Sequence, residues 1–564
     1  MGSPHVIATR VEALQAMCDD AERSAEAQRE LWQLRRAYRD NAAAFGENEI
    51  AALRNVADRV ASHHKSAATR VLRETFGYPE FRRGQREIIE AVLSSRDCIG
   101  VMPTGAGKSL TFQIPSRVLG GVTLVVSPLI ALMKDQVDAL NEVGLSATFL
   151  NSSVSLEERD ERVRRIRAGE VELVYVAPEG LQASAGRLLE GLPISLIAVD
   201  EAHCISQWGH DFRPAYRGLM GLKRRFADVP ILALTATATE AVTRDIAEQL
   251  AMRAPVTFRG SFFRDNLKLF AIRKGSSESG KKVPGVGKAI TGFVRSRPRQ
   301  SGIVYCLSRK STEKTTEQLT AAGVRAAAYH AGLEPEERTR VQDAFRSDDV
   351  DVVVATIAFG MGIDKPDVRF VVHRDLPRSI EGYYQEIGRA GRDGLESECV
   401  LFYSFSEVIA YDRFADDLTD EQAERQSRMV REMFDFAESA SCRHRSLAQW
   451  FGEAIEPCGA SCDRCRPADI LGTLISRPQP RRVVAELSDG ADEALFSALK
   501  ALRRDLAKAR HVPAYVVFND RTLLEMATRR PQTLAELSAV PGVGPRKLSV
   551  YGKAFLEVLK NPHI

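Results

Sequence analysis

The segment MPTGAGKSL (102–110) holds residue types suited to phosphate chemistry. It follows a strand-like run and precedes an amphipathic stretch. A loop in that position points successive backbone N–H groups at phosphate oxygens, beside the positive end of a helix. Thr104, Gly105, Ala106, Gly107, Lys108 and Ser109 form the candidate nucleotide loop. Gly105 and Gly107 allow close approach, Lys108 would neutralise the β- and γ-phosphates, and Ser109 would bind Mg²⁺. The general pattern asks for glycine at the position that Met102 occupies. DEAH (200–203) ends another strand-like run further along. There Asp200 would hold Mg²⁺ through water, and Glu201 would orient and deprotonate the attacking water.

Phosphoryl transfer also needs positive charge on the group in flight. YYQEIGRAGRDG (383–394) offers Arg389 and Arg392, three residues apart and expected on one face of a helix. Arginines that reach a phosphate across a cleft would make hydrolysis depend on closure. A different chemistry is expected of Cys442, Cys458, Cys462 and Cys465. Four thiolates at that spacing suit a closed tetrahedral zinc site, structural because no position is left for water. Disulfides are the alternative, which a cytosolic setting disfavours. Cys18, Cys98, Cys204, Cys306 and Cys399 stand apart and are expected to be buried small hydrophobes.

The elements that must position these groups follow from hydrophobic patterning. Between about 69 and 400, runs such as CIGVMP, VTLVVSP, VELVYVAP, SLIAVDEAH and PILALTAT alternate with amphipathic stretches, and SGIVYCLS, RAAAYHAG, VDVVVAT and VRFVVHRD repeat the pattern. Short Val/Ile/Leu-rich runs bounded by Gly and Pro predict buried parallel strands. Two α/β lobes are expected, 69–265 and 266–415, with 274–289 as a flexible surface loop. Residues 416–470 would form the small helical cysteine-bearing region, 471–489 a linker (RPQPRRVVAELSDG, 477–490, carries its signature) and 490–564 a helical tail. Residues 1–68, with Leu14, Met17, Leu31, Trp32 and Leu34 at helical spacing, predict a helical extension, a hairpin packed on the α/β lobes.

The 564 residues suggest about three or four domains. Net charge is only +3, so an argument for nucleic acid has to be local. Residues 490–564 carry twelve Lys/Arg against seven Asp/Glu, a local net of +5. Within them, Arg546 and Lys547 follow a Gly-Val-Gly turn suited to phosphate, and Tyr515 could stack on a base. No apolar run reaches membrane-spanning length and the first residues lack a signal-peptide core. The expectation is a cytoplasmic protein, associated with the nucleoid in a bacterium or nuclear in a eukaryote.

FGYPEFRRGQREII (76–89), the glycine-rich loop, SPLIALMKDQ (127–136), DEAHCISQWGHDFRPAY (200–216), LTATAT (234–239), VVVATIAFGMGIDKP (352–366) and QEIGRAGRDG (385–394) together resemble the ordered motifs of RecQ DNA helicases. The resemblance covers more than four-fifths of the chain, from about 70 to 470 and again from about 490. It implies two tandem RecA-like lobes with parallel sheets, a helical zinc-binding subdomain with Cys442 on a helix, and a C-terminal HRDC-like helical bundle. It also implies ATP, Mg²⁺ and Zn²⁺ as cofactors, and single-stranded, tailed or forked DNA as partner. By position, Tyr78 and Arg82 sandwich adenine, Gln85 hydrogen-bonds its edge, and Arg392 is the arginine finger. His203, Gln207, Trp208, Phe212 and Arg213 belong to the loop that senses single-stranded DNA; packing in the core is the alternative for Trp208 and Phe212. Two departures stand out. Gly180 replaces a usual arginine, and the Cys458–Cys462 gap is one residue longer than expected.

The resemblance further implies a 3′→5′ DNA helicase of recombination and repair. About 25 residues separate Cys465 from residue 490, too few for the winged-helix domain usual there, whose hairpin splits base pairs. Either another element is the wedge, or the enzyme translocates better than it unwinds. An RNA helicase, or a strand-annealing factor whose ATP site only switches conformation, are the competing readings.

Overall fold

The protein is described from a computed structural model that covers residues 4–18, 23–128, 130–151, 154–182, 191–206, 213–275, 277–278, 281–282, 285–359, 365–413, 419–466, 493–510 and 512–560. No described helix is long and apolar enough to cross a membrane. The chain forms two compact units. One comprises residues 4–102, 107–260 and 544–546, the other 103–106, 261–543 and 547–560.

The first unit opens with three helices, α1 (Pro4–Met17), α2 (Ser24–Asp40) and α3 (Glu47–Glu74). Their apolar stripes meet in a core of Val11, Leu14, Leu31, Leu34, Val56 and Val60. The expected hairpin is therefore a three-helix bundle, because Phe45 and the α3 stripe complete a core that two helices would leave open. Helix α3 continues past residue 68 and packs on α4 (Gln85–Leu93) and α5 (Leu110–Leu119). Gln28 Nε2 donates to Ser95 Oγ at 2.8 Å, tying α2 to the loop before the first strand.

Seven strands follow: β1 (Cys98–Val101), β2 (Val122–Val126), β3 (Ala147–Leu150), β4 (Leu173–Val176), β5 (Ile194–Val199), β6 (Ile231–Thr235) and β7 (Val256–Arg259). They pair in parallel, in the order β3-β4-β2-β5-β6-β1-β7. β1, β2, β4, β5 and β6 are buried along their whole length, as continuous Val/Ile/Leu runs require when both faces are covered. Asp97 fixes one end of the sheet. It accepts from Lys223 Nζ at 2.7 Å, Ile231 N at 2.9 Å and Arg253 N at 2.7 Å.

The second unit carries β8 (Leu267–Arg273), β9 (Ser277–Glu278), β10 (Lys281–Lys282), β11 (Ser301–Tyr305), β12 (Ala326–Tyr329), β13 (Val352–Ala355), β14 (Val368–His373) and β15 (Ser397–Tyr403). Six of them form a parallel sheet in the order β12-β13-β11-β14-β15-β8. The lobes are thus RecA-like parallel-sheet lobes. The segment 274–289, expected to be a loop, contains the antiparallel pair β9–β10 and the start of a helix at Val286. Helices Asp420–Glu438 and Arg443–Trp450 precede the last three zinc-type cysteines. Helices Glu493–Arg510, Ala514–Val517, Asp520–Arg529, Leu534–Ser538 and Pro545–Lys560 close the chain around Leu499, Phe518, Leu523, Met526 and Phe555. The linker 471–489 lies outside the described residues. The five isolated cysteines are all buried.

Gly302 shows how tightly the second sheet is packed. A Cβ there would lie 2.0 Å from the Phe370 ring, itself held edge-on by Phe293. Gly302→Ala should cost roughly 1–3 kcal/mol of local stability through overpacking. Hydrogen exchange at the β11 and β14 amides measures it; unchanged protection there would mean that the ring has room to move.

Candidate functional site

In a parallel sheet the carboxyl ends of all strands open onto one edge, where ligands bind. β1, β6 and β5 are neighbours in the first sheet. The loops after them carry 102–109, 236–239 and 200–206 respectively, which gathers three sequence-distant motifs on one edge.

The glycine-rich loop leaves β1 and enters α5 with Ser109 at its cap. Gly105 (φ 84°) and Gly107 (φ 79°) adopt left-handed backbone that other residues resist. A Cβ on Gly107 would fall 2.4 Å from Gln85 Nε2. Lys108 Nζ donates to Met102 O at 3.2 Å, so its ammonium folds back over the loop. Gln85 is buried and bridges two segments: Oε1 accepts from Arg82 N at 2.9 Å, and Nε2 donates to Gly107 O at 3.0 Å. That bridge ties the segment holding half-buried Tyr78 and exposed Arg82 to the phosphate loop. Gly84 (φ 87°) makes the turn that starts α4, against the Phe258 ring.

Asp200 and Glu201 follow the end of β5. Glu201 sits at φ 46°, a left-handed conformation rare for a residue with a side chain. Its N–H donates to Asp200 Oδ1 at 3.0 Å. Its Oε2 is buried and accepts no hydrogen bond among the described residues, with His203 Nδ1 3.4 Å away. Left-handed backbone and a buried carboxylate oxygen without a hydrogen bond among the described residues are features that a structural role alone does not require. Hard oxygen donors from Ser109 and Asp200 suit Mg²⁺.

Two residues, Thr235 and Tyr216, support this pair without having been singled out from sequence. The Thr235 hydroxyl donates to Thr237 O at 3.0 Å, accepts from Thr237 N at 3.2 Å, and lies 2.9 Å from His203 Nδ1. A hydroxyl in strand β6 thus connects the LTATAT turn to the DEAH turn. Tyr216 donates to Asp200 O at 2.8 Å, and burial pushes its hydroxyl well above the ordinary value, so it remains a donor. The signal was adjacency, since both lie inside quoted motifs. Arg213 is fastened by its N–H to Cys204 O at 3.0 Å. Gln207, Trp208 and Phe212 lie outside the described residues.

In the second unit, Arg389 and Arg392 are not on a helix face as expected. The helix Ile380–Ile387 ends at Gly388, and both arginines occupy the turns that follow. Gly391 (φ 57°) lies between them in the turn: a Cβ there would meet Asn266 Nδ2 at 2.5 Å and Leu395 O at 2.8 Å. Asp393, next in the turn, receives Arg369 Nη2 on both oxygens at 2.7 Å. Arg369 also donates to the carbonyls of Pro366 and Asp367, at 3.2 Å each. Tyr305, buried beside Arg389, is pushed up to about 12 by that burial, against the pull of the guanidinium.

The sulfurs of Cys442, Cys458, Cys462 and Cys465 lie within 4.8 Å of one another, with Cys458–Cys462 at 3.5 Å and Cys442–Cys462 at 3.9 Å. Tetrahedral zinc with Zn–S near 2.3 Å holds its sulfurs roughly 3.8 Å apart, so the four thiols fit the ion. Cys442 caps the Arg443–Trp450 helix rather than lying within it. Burial opposes its thiolate, but N–H groups of Cys458 and Arg445 outweigh that and bring it down to about 7. Gly459 (φ 73°) turns the chain within the lengthened Cys458–Cys462 gap. The cysteine loop is fixed to the edge strand β8: Leu269 N donates to Ser461 O at 3.0 Å and Asp463 N to Leu269 O at 3.0 Å.

In the tail, Arg546 is exposed at the start of the Pro545–Lys560 helix. Lys547 Nζ lies over the Phe518 ring at 5.7 Å, and Tyr515 is half-buried.

Four family models match the chain: DEAD/DEAH box helicase over residues 82–246, helicase conserved C-terminal domain over 285–394, RecQ zinc-binding over 405–466 and HRDC domain over 492–559. The chain is 36% identical over 606 residues to the ATP-dependent DNA helicase RecQ of Pasteurella multocida, covering 88% of this chain and 94% of that one. It is 35% identical to the Bacillus subtilis protein of the same name, covering 87% and 98%. It is 41% identical to the ATP-dependent DNA helicase Q1 of Rattus norvegicus, over 70% of this chain and 64% of that one. Two parallel-sheet lobes, a cysteine cluster fit for zinc and this depth of similarity together establish that the chain belongs to the RecQ family of ATP-dependent DNA helicases.

Proposed function

We propose that this helicase moves 3′→5′ on single-stranded DNA and serves recombination and repair, with hydrolysis carried by groups from both lobes. The observation that carries the reading is Glu201, held in left-handed backbone with a buried carboxylate oxygen that accepts no hydrogen bond among the described residues. Glu201 orients the attacking water and takes its proton. Thr104, Gly105, Ala106 and Gly107 present N–H groups to the phosphates, and Lys108 swings from Met102 O onto the β,γ-bridge. Ser109 and Asp200 would hold Mg²⁺, which would supply charge neutralisation at the phosphates. Tyr78 and Arg82 flank adenine, with Gln85 at its edge. Arg389 and Arg392 stabilise the charge on the transferring phosphoryl group, so that turnover waits on lobe closure. Gln207, Trp208, Phe212 and Arg213 sense the bound strand and signal through the His203–Thr235–Thr237 contacts. Tyr515, Arg546 and Lys547 add DNA affinity in the tail. DNA with a single-stranded tail or a fork is the substrate.

The short stretch between Cys465 and residue 490 favours a second reading, a DNA-stimulated translocase that unwinds weakly. Strand displacement on 3′-tailed, 5′-tailed and forked duplexes separates the two. Displacement of 3′-tailed duplex supports the helicase reading; ATP turnover with no displacement on any of the three supports the translocase.

Lys108→Ala should abolish DNA-stimulated phosphate release while DNA binding survives; persisting hydrolysis would remove Lys108 from the site. Trp208→Ala should leave DNA bound but hydrolysis unstimulated, and normal stimulation would make Trp208 a packing residue. Metal analysis should find one zinc per chain in the wild type and none in Cys462→Ser, whose 442–465 segment becomes protease-sensitive. Full zinc content in that variant would refute the four-cysteine site.

A further inference from the structure

The second unit contains a cluster of charges shared between its RecA-like lobe and the C-terminal helical bundle. Arg503, on the Glu493–Arg510 helix, is completely buried. Its Nη1 donates to Asp520 Oδ1 at 2.8 Å and to Phe518 O at 3.0 Å, both inside the bundle. Its Nη2 leaves the bundle and reaches Asp348 Oδ2 at 3.1 Å and Asp367 Oδ2 at 3.4 Å in the lobe. Lys365, also buried, lies 3.2 Å from Asp367 and pairs with Asp348. At the rim, Lys508 Nζ donates to Asp349 at 2.7 Å and Lys500 to Asp520 at 3.2 Å. Asp348 itself stands at φ 63°.

Charges this deep are costly unless paired, and a buried pair adds little net stability over apolar packing. Such a network is better understood as fixing one geometry. What it fixes is specific. Asp367 is followed two residues later by Arg369, whose guanidinium grips the Asp367 and Pro366 carbonyls and then both oxygens of Asp393. Asp393 adjoins Arg392. Polar contacts therefore link Arg503 in the bundle to the Asp367 carboxylate, the Asp367 carbonyl to Arg369, and Arg369 to Asp393 in the turn that bears Arg389 and Arg392. Arg521, one residue after Asp520, lies close to Gly394 at the end of that turn.

We propose that the C-terminal bundle braces the hydrolytic turn of the second lobe, with Arg503 as a positioning residue for ATP turnover. This rests on the reading that Arg392 acts on the transferring phosphoryl group. The bundle thereby acts on the chemical step, beyond any DNA affinity it supplies. Asp348 and Asp367 are held ionised: burial works against their charge, but Lys365 and Arg503 overcome it.

The test compares Asp348→Asn, Arg503→Met, Arg503→Lys and Arg392→Ala in the full chain, at saturating ATP and single-stranded DNA. Asp348→Asn removes one of the two lobe-side carboxylates that meet Arg503, tolerates the left-handed backbone and leaves both Asp367 and the Arg503–Asp520 pair inside the bundle in place. Asp348→Asn and Arg503→Met should each lower kcat about tenfold with KM for ATP and DNA affinity unchanged, the scale expected when a reacting group is slightly misplaced. Arg503→Lys, which keeps the charge but not the two-ended grip, should recover part of the loss, which a purely packing role would not allow. If Arg392→Ala abolishes turnover while Asp348→Asn retains the wild-type kcat, the brace is wrong and the arginine reading stands. If Arg392→Ala retains turnover, the arginine reading fails, and the brace with it. A loss of DNA affinity alone in Asp348→Asn would make the bundle a tether and overturn the proposal.

Discussion

Parallel pairing of β1, β6 and β5 is the constraint on which the ATP site depends. Parallel strands deliver all their carboxyl ends to one edge, so a phosphate loop, a carboxylate pair and a threonine turn far apart in sequence become neighbours there. Each then needs local help. Gly105 and Gly107 supply left-handed backbone, Gln85 holds the loop from α4, and Tyr216 holds Asp200 from below. The strained Glu201 is tolerable because the turn around it is fixed on both sides, by Thr235 through His203 and by Arg213 through Cys204.

The second unit repeats the architecture for another purpose. Its sheet supports a turn rich in arginine, which leaves the helix at Gly388 and packs Gly391 closely against Asn266 and Leu395. The edge strand β8 is covered by the cysteine loop, whose backbone pairs with Leu269. The loop that carries three of the zinc-type cysteines therefore also caps an otherwise open sheet edge. The Arg443 guanidinium, buried against Asp463 at 3.0 Å, locks the helix before the cysteines to the same loop.

Much of this was legible in the sequence, for physical reasons that differ between elements. Nine strands announced themselves as continuous apolar runs between Gly and Pro. β3, β7 and β8 did not, because edge strands are less apolar, and β7 is half-exposed along most of its length. β15 was hidden by its Ser-Glu-Cys opening, although its last five residues are buried. The chemistry-bearing motifs were legible because phosphate and metal binding impose residue types and spacings. Tyr216, Thr235 and Arg503 were not, since a supporting hydrogen bond imposes neither. Arg503 did leave a trace: it occupies the apolar stripe of its helix, four residues from Leu499 and four from Ala507. A charge in that stripe signals a buried partner that the local sequence cannot name.

The proposed motor requires charged groups from both lobes at one nucleotide. The most direct measurement is an experimental structure of the protein with ADP, aluminium fluoride as the phosphoryl mimic, and single-stranded DNA. The account predicts Lys108 and Glu201 on one side of the mimic and the Arg392 guanidinium within hydrogen-bonding distance on the other. A mimic held by Lys108 and Glu201 alone, with Arg389 and Arg392 turned to solvent or to DNA, would contradict it.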